Sequence, residues 1–129
     1  MKLLTKLLSL VFMVSFAVTA AAQQSASGEV SEKCTYPQQP SIPNGTKADM
    51  DEMLAAQSAV KKYQASAQEF RTCIDGIMAE WDNLSESDQA MNEEKKSVAI
   101  NFYNRSVADE EEVANMFNRA REAFMAKRK

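Results

Sequence analysis

The chain has 129 residues, 15 Lys+Arg against 18 Asp+Glu, two Cys, three Gly and no His. Without His there is no Ser-His-Asp or Cys-His nucleophile and no His-ligated zinc, two Cys are too few for an all-cysteine metal site, and no glycine-rich phosphate loop occurs. A chain of this length carries one domain, with a core too thin for a globular enzyme of ordinary size.

Residues 1–22 read as a secretory signal peptide. Lys2 and Lys6 form a charged start, Leu7–Ala20 an apolar stretch, and Ala20-Ala21-Ala22 before Gln23 a small-residue cleavage site. The apolar stretch is too short for an ordinary membrane span. Its removal takes away 22 residues and two lysines, leaving 107 residues with a formal charge of −5. An exported protein, periplasmic or secreted, is the expectation. In that compartment an even Cys count favours a Cys34–Cys73 disulfide.

Residues 23–33 are small and polar and are expected to be a disordered leader. Residues 34–48 form a Pro-rich arm. Pro37, Pro40 and Pro43 impose an extended, polyproline-II-like path, and Asn44-Gly45 signals a turn.

A first long helix is predicted over 49–83. Asp49 is its N-cap, with Glu52 as capping-box partner and Thr46 as the rival cap. Met53, Ala56, Val60, Tyr63, Ala67, Phe70, Ile74, Ile77, Trp81 and Leu84 recur in alternating steps of three and four. This heptad seam puts all ten on one face. Gly76 breaks the helical composition and is expected to admit a close neighbour.

Asn83–Asp88 interrupts the pattern, and a second helix is predicted over 88–126. Its stripe is less regular: Met91, Val98, Ile100, Tyr103, Val107, Ala114, Phe117, Ala120 and Phe124. Tyr103-Asn104 recurs two heptads later as Phe117-Asn118, on the same face.

The expected fold is all-α: a long antiparallel two-helix hairpin, coiled-coil-like, with the arm stapled to helix 1. The arm is long enough to turn at Asn44-Gly45 and return to Cys73, because 15 extended residues reach about 46 Å and the helix from Asp49 to Cys73 spans about 36 Å. The hairpin would set Asp49, Asp51 and Glu52 beside the basic end, Arg119, Arg121, Lys127, Arg128 and Lys129.

Cys34-x-x-Pro37-x-x-Pro40-x-Ile42-Pro43-x-Gly45, then Ala48, Met53, Ala56, Val60, Tyr63 and Cys73, then Tyr103-Asn104 and Val113-Ala114-x-x-Phe117-Asn118-x-x-Arg121, run through most of the chain after residue 33. In this pattern the chain resembles a family of small uncharacterised exported proteins of Gram-negative proteobacteria. The resemblance implies a periplasmic or secreted location. It implies no activity, cofactor or catalytic residue.

The functional expectation is a non-enzymatic structural or protein-interaction module of the bacterial cell envelope. No catalytic, metal or cofactor-binding residue is expected. The consecutive carboxylates Asp109–Glu112 point around a helix and cannot converge on a cation, so they are expected to be a solvated face. Neither nucleic acid nor a small-molecule substrate is an expected partner. A homodimer through the helix seam is, as is an envelope protein or an anionic surface. The interaction surface then expected is Arg119, Arg121, Lys127, Arg128 and Lys129, which could meet anionic lipid or peptidoglycan. A chaperone-like binder of unfolded clients, using the six methionines after residue 22, is the other alternative.

Overall fold

The computed structural model describes residues 26–83 and 89–128. The signal-peptide reading, Leu84, the candidate caps Ser85 and Ser87, and Lys129 lie outside them. Among the described residues the fold is all-α, with three helices: α1 over residues 26–33, α2 Met50–Asp82 and α3 Gln89–Ala126.

Residues 26–33, expected to be disordered, are instead helical. Ala26 and Val30, four apart, present one small apolar face, and both are completely buried. They join Cys34, Phe70, Ile74, Ile77, Trp81 and Ala99 in one core cluster. Lys33 and Glu29 pair along the helix at 3.3 Å. The composition of this segment is too weak to hold a helix alone. Burial of its two apolar side chains against α2 and α3 supplies what local propensity lacks.

α2 begins where its cap requires. The Asp49 carboxylate accepts from the Glu52 backbone N–H, and the Glu52 carboxylate accepts from the Asp49 N–H, each at 2.8 Å. Thr46 belongs to the preceding turn, where its backbone N–H and hydroxyl both donate to Asn44 Oδ1. Every seam position from Met53 to Trp81 is buried, and so is Arg71, which lies beside the seam.

α3 packs on α2 with residue order reversed. Asn92 donates to the Trp81 carbonyl, Val113 clusters with Val60 and Tyr63, and Ala120 and Phe124 cluster with Met53. The buried line along α3 is Asn92, Ala99, Ser106, Val113 and Ala120, one residue every heptad. This corrects the predicted stripe: Met91, Ile100 and Val107 are exposed, whereas Tyr103 and Phe117 are half-buried and Ala120 and Phe124 buried. The bulk of this interface comes from α2. Trp81, Ile74, Phe70 and Tyr63 fill the space above small residues of α3, as interdigitated packing demands.

Residues 35–44 run extended beside both helices. Cys34 and Cys73 stand at disulfide-bonding distance, with Cα atoms 5.8 Å apart. On α2, Ala59, Ser66 and Cys73 recur every seventh residue, leaving room for the arm along that flank. Ile42 packs into both clusters at the far end.

The expectation for Gly76 is not met: a Cβ there would meet nothing within 4 Å, and nothing in the structure explains this glycine. The close approach is at Gly45, where a Cβ would overlap the Ala120 carbonyl. Its φ is ordinary, so the requirement is steric alone. Gly45→Ala is expected to push the turn off α3 and cost about 1–3 kcal/mol, read as a lower urea midpoint. The same change at Gly76 should stabilise or leave the midpoint unchanged, since a helical Gly→Ala gains about 1 kcal/mol.

Candidate functional site

The polar side chains that α2, α3 and the arm bring together lie at the middle of the molecule. Arg71 is almost fully buried. Its guanidinium donates to Ser106 Oγ at 3.3 Å and to Gln68 Oε1 at 3.2 Å, and meets the Glu110 carboxylate at 2.8 Å. Close by, the Tyr36 hydroxyl donates to Asp109 Oδ2 at 2.7 Å. The Tyr36 ring packs edge-on against Phe70 with centroids 4.9 Å apart, and the Arg105 guanidinium stands over the ring, 5.7 Å from its centroid. One arm residue therefore grips both long helices.

These contacts revise the reading of Asp109–Glu112. Glu111 and Glu112 are exposed, but Asp109 and Glu110 turn inward and are consumed by Tyr36 and Arg71. Sequence reasoning missed Arg71, Ser106 and Glu110 as partners. A signal was available for the first: Arg71 directly follows the seam residue Phe70, and a cation on that flank needs a partner from the facing helix.

Burial pushes the Tyr36 phenol up, and its bond to the Asp109 carboxylate pushes it further. Burial, then the charges of Asp109 and Glu110, also raise Tyr63, whose hydroxyl is buried with no hydrogen-bond partner among the described residues. A raised phenol stabilises the fold fully below its unfolded value of about 10 and loses that contribution as pH rises toward the folded value. Tyr36→Phe is expected to cost about 1–2 kcal/mol at neutral pH and to flatten part of the alkaline loss. Urea titrations at neutral and alkaline pH check this; an unchanged alkaline slope would contradict it.

A groove of about 610 Å³ opens between the arm and α2. Tyr36, Pro37, Pro40, Tyr63 and Phe70 line it, and Lys62 and Glu69 stand among its charged lining residues. Among the described residues, no group of three or more Cys, Asp or Glu is placed to hold a metal ion.

At the α1 end, burial raises the Glu29 carboxyl, but hydrogen bonds from Lys33 and Trp81 and the charge of Lys95 outweigh it and hold the group below its usual range. The Trp81 indole N–H donates to Glu29 at 3.3 Å, so α1 is tied to α2 by this carboxylate as well as by its apolar face.

At the other end, the expected pairing of Asp49, Asp51 and Glu52 with the basic residues does not form as ion pairs among the described residues. Asp49 and Glu52 serve the helix cap. Lys127 Nζ donates to the Ala48 carbonyl and sits 4.8 Å from the Phe124 ring centroid, with Arg128 at 5.4 Å. Arg119 and Arg121 are exposed. Met50, Leu54 and Met125 are exposed large apolar residues of the same end.

No family model, curated protein or solved structure matches this chain. Among the described residues no helix is long and apolar enough to cross a membrane.

Proposed function

We propose that the chain is an exported, non-enzymatic protein of the bacterial cell envelope that works as a structural or protein-interaction module. Its folded unit is a coiled-coil-like antiparallel hairpin with the Pro-rich arm stapled along it. The observation that carries this reading is the use made of the ionisable groups. Arg71 and Glu110, and Tyr36 and Asp109, bind one another across element boundaries. Their chemistry goes into fastening the arm and the helices together, leaving long helical surfaces free for a partner. The disulfide pair fits an oxidising compartment.

Cross-linking in intact cells tests the reading, combined with fractionation. The expected result is a periplasmic or secreted protein with oxidised cysteines, cross-linked to an envelope component. Retention in the cytoplasm with reduced cysteines would overturn it.

A second reading, peripheral binding to anionic lipid or peptidoglycan, is favoured by the exposed Arg121, Arg128 and Met125 at one end. Asp49, Asp51 and Glu52 at that same end weaken it by mixing the charge. Loss of liposome or peptidoglycan binding after removal of Lys127–Lys129 would support it. The chaperone-like reading draws less support, because Met53 is buried and Met78 and Met116 are partly buried against the core, so that of the six only Met50, Met91 and Met125 are exposed.

A further inference from the structure

The heptad seam is buried within the chain by α3, the arm and α1, so self-association needs another surface. α3 carries one. Beside its buried line, Glu93, Ile100, Val107, Ala114 and Arg121 recur every seventh residue along a single ridge. Ile100 is 47% exposed and Val107 36%, and Ala114 is half-buried. The arm is engaged elsewhere: it meets α3 through Asp109, Arg105 and Ala120.

The ridge is self-complementary. Reversed about its midpoint at Val107, it sets Ile100 against Ala114 and Glu93 against Arg121, and Val107 against its own copy. A large side chain meets a small one, and an acid meets a base. The flanking positions agree: Asn104, an amide donor, falls beside Glu111, and the Ser97 hydroxyl beside the Asn118 amide. A shift of one heptad in either direction destroys the match, setting Ile100 against Arg121 or Ala114 against Glu93. We propose that a second copy of this chain docks antiparallel along this ridge, on a two-fold axis through Val107. This gives the repeated Asn104 and Asn118 a place beside polar partners.

The ridge is about 42 Å long and a helix about 10 Å wide, a footprint of about 400 Å² per copy. A standard interface buries about 800 Å² per partner, so the dimer is of the weak, concentration-dependent class. Glu93 is 3.7 Å from Lys96 in its own chain and its side chain is 73% exposed, leaving it free to turn to a stronger partner.

The proposal goes beyond the envelope-module reading and does not rest on it, since self-association is a property of the purified chain. Sedimentation equilibrium on oxidised chain beginning at Gln23, from micromolar to millimolar, is the test. The expected result is reversible dimerisation. Glu93→Arg alone and Arg121→Glu alone should each weaken it about tenfold or more, as like charges face each other twice per dimer. The double change should restore it. Val107→Glu should abolish it, while helical circular dichroism and the unfolding midpoint at dilute concentration stay unchanged. A wild-type monomer throughout the range, or a double variant no better than the single ones, would overturn the proposal.

Discussion

Replacing Cys34 and Cys73 together by Ser is expected to lower the thermal midpoint by about 15–30 °C. The crosslink closes a separation of 39 residues, and the loop-entropy relation assigns about 4 kcal/mol to a loop of that size. A domain this small moves about 4–8 °C per kcal/mol. The native state adds to the entropic effect, because Cys34 lies between α1 and the arm. Losing the staple frees Ala26, Val30, Tyr36 and Ile42 from their clusters together. Thermal circular dichroism with and without reductant makes the comparison directly. If the midpoint does not move, the arm is held by its packing alone and the staple is redundant.

The second large effect is expected at Arg71. Arg71→Met keeps much of the aliphatic volume but removes the cation, leaving Glu110 24% exposed without its partner. Breaking a fully buried pair costs about 3–5 kcal/mol. Glu110 still reaches water, so about 2–4 kcal/mol is expected here. Arg71→Met combined with Glu110→Met should recover most of that loss, because two apolar groups leave no stranded charge. Urea unfolding of the wild type, both single variants and the double variant completes the cycle. Additive losses would mean that the two residues do not act as a pair. The recovery would leave the pair's value in setting the alignment of α2 on α3, since Arg71 meets both Ser106 and Glu110 only in one register.

Much of α2 was legible in the sequence because each of its signals is local. A capping box needs two residues three apart, and a heptad seam needs only periodicity. The predicted start at Asp49 and end at Asn83 match an observed helix of Met50–Asp82 flanked by those caps. The Asn44-Gly45 turn was equally local. α3 was read less well. Apolar periodicity locates a seam best when its residues are large and apolar, and here Asn92 and Ser106 are polar and Ala99 and Ala120 small, leaving Val113 as the one large apolar residue of that line. Ile100 and Val107 drew the predicted stripe sideways onto the exposed flank.

What the sequence determined by itself was the helical class, the seam of α2, its N-cap and the pairing expected of two cysteines, all consequences of spacing along the chain. Tertiary structure alone decided three other things. It turned residues 26–33 into a helix, because burial of Ala26 and Val30 outweighs weak propensity. It selected Gly45 and not Gly76 as the glycine that must remain small, because only Gly45 meets the backbone of α3. It drew Arg71, Glu110, Tyr36 and Asp109 inward, because a polar group's burial depends on a partner supplied by another element, and no periodicity within one helix records that partner.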